Sequence, residues 1–160
     1  MKQPRILTPE QAYLRATADC ARAEHCRYDL MQRMLRGGLS REDCEDVLDR
    51  LEDEGYINSL RYAQAYAHDK LRYERWGRQK IRQGLATKRI PEADIRAALD
   101  GLDEEEYRTI LGEVVRRKLA ATTAETDFQR TQKVARYAIS RGFEPALVFP
   151  LVGSTDPFEE

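Results

Sequence analysis

The chain has 160 residues and a formal net charge of −1, with 34% charged and 41% hydrophobic positions. That charge excludes a uniformly basic nucleic-acid binder and leaves such a role only to segregated charge; no apolar run approaches the roughly 20 residues that span a membrane. MKQPRILTPEQ at the N-terminus holds no signal-peptide core, so a cytoplasmic protein is expected, and three cysteines (Cys20, Cys26, Cys44) suggest no extracellular disulfide framework.

Helical signals follow one another along the chain. Thr8 before Pro9 and Glu10 reads as an N-cap with proline at the first helical position, opening a helix through about Arg22. A second helix is expected from about Arg27 to Arg36, stopping at Gly37 and Gly38. Ser40 caps a third, in which Cys44, Val47, Leu48 and Leu51 share one face of a 3.6-residue period, and Gly55 ends it. The pattern then restarts. Asn58 or Ser59 opens a helix to about Tyr73, Gly77 one to about Lys88, and Pro91 one ending near Gly101. The last three helices are expected at Asp103 to about Ala120, Asp127 to Ser140, and Glu144 to Val152. No stretch alternates as a strand.

The restart is visible residue by residue. LMQRMLRGGLSREDCEDVL at 30–48, IRQGLATKRIPEADIRAAL at 81–99 and VARYAISRGFEPALVFPLV at 134–152 superpose without a gap and agree at their apolar positions. Internal repetition of a core pattern predicts a repeat architecture. The expected fold is therefore all-α, an elongated array of three tandem three-helix repeats at 8–57, 58–101 and 102–153, with a frayed tail at 154–160. A single repeat has little apolar face to bury, so neighbours are expected to stack.

Charge is segregated along this array. From Ser40 to Gly55 there are eight Asp/Glu and two Lys/Arg; from Asn58 to Glu92 there are nine Lys/Arg and three Asp/Glu. The middle repeat thus offers Arg72, Arg75, Arg78, Lys80, Arg82, Lys88 and Arg89 as phosphate contacts. The last offers Arg116, Arg117, Lys118, Arg130, Lys133, Arg136 and Arg141, with Arg130, Lys133 and Arg136 spaced by three along one exposed helical face. Such contacts add salt dependence without sequence specificity; solvation of helix faces is the plainer reading of the same spacing. Trp76 among Arg72, Arg75 and Arg78 suits a base-stacking platform or a protein-interface anchor, or a hydrophobic staple across a Gly77 cap to Ile81. Glu52, Asp53 and Glu54 at a helix C-terminus oppose the helix dipole, so they are expected either to repel nucleic acid at the first repeat or to meet a basic protein surface.

Catalytic and metal chemistry find little support. Cys20, His25 and Cys26 lack the second ligand pair that a structural zinc requires, and the repeat register sets Cys20 under Leu71 and Cys44 under Ile95, ordinary core positions. His68 has no matched nucleophile and is expected at a surface or boundary. The acids at 45/46, 52–54 and 104–106 are contiguous runs, and neither a Walker A loop nor GxGxxG is present. No enzyme activity, cofactor or metal is expected. A helix-turn-helix DNA binder is the competing reading, but its third helix in the first repeat exposes Glu42, Asp43, Glu45 and Asp46, a poor groove reader.

The stretch LEDEGYINSLRYAQAYA at 51–67, followed by Trp76-Gly77, Lys80-Ile81-Arg82, Leu85, Lys88-Arg89-Ile90 and RYAISRGF at 136–143, resembles the RecX regulators of the bacterial RecA recombinase. The resemblance runs from about residue 10 to 152. It implies a monomer of three three-helix repeats that lies in the groove of the RecA nucleoprotein filament and contacts recombinase and DNA, single- or double-stranded, without sequence specificity. It further implies a non-enzymatic modulator, mainly an inhibitor, of filament extension, ATP hydrolysis, strand exchange and co-protease activity in recombinational repair and the SOS response. Ser59, where the family often has an acid, and Gly84, where it often has Glu, depart from the pattern; a mid-helix glycine costs about 1 kcal/mol relative to Ala.

Overall fold

The computed structural model describes residues 6–153; the expected frayed tail at 154–160 lies outside them. Among the described residues there are nine helices and no strand: α1 (Pro9–Cys20), α2 (Arg27–Arg36), α3 (Arg41–Asp53), α4 (Ser59–Arg72), α5 (Arg78–Thr87), α6 (Glu92–Asp100), α7 (Glu104–Ala121), α8 (Asp127–Ser140) and α9 (Pro145–Val152). Packing groups them in threes, α1 and α2 on α3, α4 with α5 and α6, and α7 with α8 and α9, with α4 also meeting α7. The chain is an all-α repeat protein.

Local chemistry sets the helix starts. Thr8 accepts from the backbone N–H of Gln11 while Gln11 accepts from that of Thr8, a reciprocal capping box. Ser40, Asn58, Asp103 and Thr126 each cap their helices by accepting from the N–H three residues on.

Two cores hold the array, and they divide it unequally. Leu30, Met34, Cys44, Leu48 and Leu51 form a first core with Ala12, Ala16 and Ile57. A second runs without a break through the middle and last repeats, joining Leu71, Ile81, Leu85 and Ile95 to Tyr107, Leu111, Val134 and Phe143. The first repeat therefore has a core of its own, while its Cys26 and Tyr28 pack onto the second. Leu7 helps to seal the first core, donating its N–H to the Gly37 carbonyl at 2.9 Å and packing its side chain on that core.

Backbone groups weld the middle repeat to the last. Gly77 caps α5 without a side chain, so the orphan N–H groups of that helix need outside acceptors. Gly77 N–H donates to the Arg141 carbonyl at 2.9 Å and Gln79 N–H to the Gly142 carbonyl at 3.0 Å. A Cβ on Gly77 would fall 2.3 Å from the Gly142 carbonyl carbon, and Gly142 itself has φ +100°; glycine is required on both sides. The buried Tyr107 hydroxyl accepts from the Arg78 N–H at 3.1 Å and donates to Glu144 at 2.9 Å.

Polar contacts dominate the other junction. Arg61 pairs with Glu24 and donates to the carbonyls of Gly55 and Tyr56; Lys88 pairs with Asp29 at 2.9 Å. Cys26 is the buried first-repeat side chain that joins the second core. Of the cysteines assigned to core positions by register, Cys44 is fully buried but Cys20 is half-exposed, while Cys26, which aligns with Gly77, is 2% exposed. The reason is that the Gly77 position is itself a buried junction point. Beside Cys26 a cleft of about 380 Å³ opens between the first two repeats, lined in part by His25, Tyr28, Arg41 and Arg89.

Candidate functional site

The cations of the middle repeat are mostly spent inside the fold. Arg72 pairs with Glu106 at 2.5 Å, Arg75 with Glu113 at 2.7 Å, and Arg78 with Glu104 at 2.5 Å and Glu144 at 3.4 Å, all reaching into the last repeat. Arg82 pairs with Glu92 within its own repeat, and Lys88 is held by Asp29. These arginines pull Glu106 and Glu113 below the usual carboxylate value, and Arg108 with Arg78 does the same to Glu104. Arg89 lies over the Tyr28 ring at 5.1 Å.

Trp76 is half-buried against the second core, which contains Ile81, and its ring sits between the ammonium groups of Lys70 (4.7 Å) and Lys80 (4.6 Å). Its position before the Gly77 cap suits a staple better than a free stacking face. Tyr62 is buried and Tyr66 half-buried, with ring centroids 5.9 Å apart, and His68 is half-exposed. Among the described residues no group of three or more His, Cys, Asp and Glu is arranged to hold a metal ion.

The acidic run is likewise engaged. Glu52 pairs with Arg27 at 3.2 Å, alongside Glu45 and Asp49 on the same guanidinium. Glu54 accepts from the Tyr13 hydroxyl and pairs with Arg50 at 3.0 Å; that bond raises the Tyr13 hydroxyl to about 12. Asp53 remains exposed on the helix end.

Cations stay available on the last repeat. Arg130 is one exception, since its guanidinium donates to the Leu119 and Thr122 carbonyls at 2.6 to 3.2 Å and so caps the C-terminus of α7. It does not share the open face of Lys133 and Arg136 that its spacing suggested. Arg141 is turned to the Glu74 carbonyl. Arg116, Arg117, Lys133 and Arg136 are exposed and form no ion pair among the described residues. Lys118 lies over Tyr137 at 4.4 Å.

Arg117, Lys118, Lys133, Arg136 and Arg141 form one strip along α7 and α8, which Arg116 does not line. A shallow trough lined by Arg75, Arg117, Lys118, Tyr137 and Arg141 adjoins a second lined by Lys118, Lys133, Arg136 and Tyr137, which adjoins a third lined by Lys133, Arg136, Phe128 and Glu125. Tyr137 is 38% and Phe128 70% exposed. Several cations against one lining acid, with two aromatic rings, suit a phosphate backbone with exposed bases. Sequence reasoning named the cations but missed Phe128 and Tyr137; the signal was there, in apolar residues off the Val134/Ala135/Ala138 face.

Comparison with known proteins places this geometry in a family. Residues 60–99 match the family model described as "RecX, second three-helix domain" and residues 104–151 that of "RecX, third three-helix domain". The chain is 31% identical to "Regulatory protein RecX" of Pseudomonas putida (strain GB-1), over 85% of each chain. It is 29% identical to that of Thermobifida fusca (strain YX), covering 90% of this chain and 80% of the relative. A crystal structure of regulatory protein RecX shares the fold at a TM-score of 0.81 and 21% identity, over 91% of this chain and 71% of that one.

Proposed function

The chain belongs to the RecX family, and from that premise we propose that it is a non-enzymatic modulator, mainly an inhibitor, of the RecA recombinase. It binds the RecA nucleoprotein filament in its groove and limits filament growth, ATP hydrolysis, strand exchange and co-protease activity. It works in the cytoplasm as a monomer. Linked repeats can contact successive protomers, so modest contacts add through effective concentration.

The observation that supports a nucleic-acid contact on the last repeat is the strip itself: Arg117, Lys133 and Arg136 are exposed and form no ion pair among the described residues, Lys133 reaching only the Thr123 carbonyl at 3.5 Å, while Arg72, Arg75 and Arg78 of the middle repeat are held by glutamates. Binding through it is expected to be insensitive to sequence and steep in salt. The test is the Lys133→Glu, Arg136→Glu double variant, measured by fluorescence anisotropy on a labelled oligonucleotide, bare and coated with RecA, over a salt series. Affinity should fall on both and the salt slope should flatten by about 1 to 2. Unchanged affinity and slope would return these residues to surface solvation.

A further inference from the structure

A filament ligand is half protein, and the acids at 52–54 that were expected to meet it are largely occupied within the first repeat. A different surface is free. We propose that the trough between the α1–α2 loop and α4 receives an Arg or Lys side chain of the protein partner, an inference that rests on the filament reading above.

The trough, of about 330 Å³, is walled by Glu24 on the loop and by Tyr62, Tyr66, Asp69, Tyr73 and Glu74 along one side of α4 and its end. Their spacing in α4, four then three then four, sets Tyr62, Tyr66, Asp69 and Tyr73 in one row. Three carboxylates and three tyrosines thus line the trough, with Tyr62 buried in the second core. Lys70 is the one cation lining the trough, and its ammonium is drawn over Trp76 and Tyr66.

The carboxylates are under-used. Asp69 and Glu74 are exposed and their side chains form no ion pair or hydrogen bond among the described residues. Glu24 gives one oxygen to Arg61, but its Oε2 is buried without a hydrogen-bond partner, a costly state for a carboxylate oxygen. The neighbouring arginines give their ion pairs elsewhere: Arg72 and Arg75 bind Glu106 and Glu113, Arg72 acting on Asp69 only through space, and Arg141 reaches Glu74 through its carbonyl. Tyr73, at 78% exposure, stands open at the edge.

Aromatic faces with carboxylates at the rim match a guanidinium or ammonium, which gains from stacking and from charge-assisted hydrogen bonds together. They repel phosphate. Placement agrees with a composite ligand, because the trough ends at Glu74 and the basic strip begins at Arg75, the next residue.

The experiment compares binding of the full chain to RecA filaments on oligo(dT) with binding to the same oligonucleotide bare. Asp69→Lys with Glu74→Lys should lower filament affinity about tenfold or more, and Tyr73→Ala by about threefold to tenfold. Neither should weaken binding to bare DNA, and the reversal should strengthen it. Filament affinity that survives both variants, or a loss shared equally by bare DNA, overturns this inference alone. Failure of the unchanged protein to bind filament overturns the functional reading and this inference with it.

Discussion

At Gly84 the α5 backbone passes beneath Tyr66, and a Cβ there would fall 2.1 Å from the Tyr66 hydroxyl oxygen. The glycine that looks like a helix weakness in sequence is thus a contact. Gly84→Ala, worth about 1 kcal/mol in an open helix, is predicted to lower Tm instead, and adding Tyr66→Phe should recover part of the loss. A rise in Tm for the single variant would contradict this. Arg130 makes the converse point, for its spacing marked it as a phosphate contact but its guanidinium caps α7. Arg130→Ala should cost about 1–2 kcal/mol in urea unfolding, whereas Arg136→Ala should stay within about 0.5 kcal/mol; equal losses would refute the distinction.

Among elements, the helices themselves were legible. Thr8, Ser40, Asn58 and Gly77 each sit at the N-cap that composition indicates, because caps and apolar periods are local. What joins helices was not, since Arg72 meets Glu106 and Arg75 meets Glu113 across the fold, and no spacing rule reaches that far. The same pairs predict a pH response. Glu104, Glu106 and Glu113 titrate below the usual 4.5 in the folded chain. Their contribution is therefore present above pH 4.5 and is lost as pH falls through their lowered values. Tm should drop across that acid range, and drop less steeply in an Arg72→Gln, Arg75→Gln variant. Parallel profiles would mean that these pairs add nothing to the junction.

For the whole molecule, one core serves the first repeat and another serves the remaining two. Hydrogen exchange should accordingly show α2 and α3 opening as one unit, and α5, α8 and α9 as a second. Gly142→Ala, which forces a Cβ to within 2.5 Å of Lys80, should lower protection in the second unit and leave the first unchanged; loss throughout the chain would mean a single cooperative block. The division also bears on where the cations named in sequence, in the middle and last repeats alike, end up. Basic charge is densest in the middle repeat, but that repeat is clamped to both neighbours and spends most of its cations on them or within itself, while exposed cations without an ion pair remain on α7 and α8.

The regulator account stands or falls on RecA. Its DNA-dependent ATPase, measured on single-stranded DNA at low salt with a rising excess of this protein, should decline in a dose-dependent way, and decline less with the Lys133→Glu, Arg136→Glu variant. An ATPase rate unchanged at saturating excess would contradict the central claim.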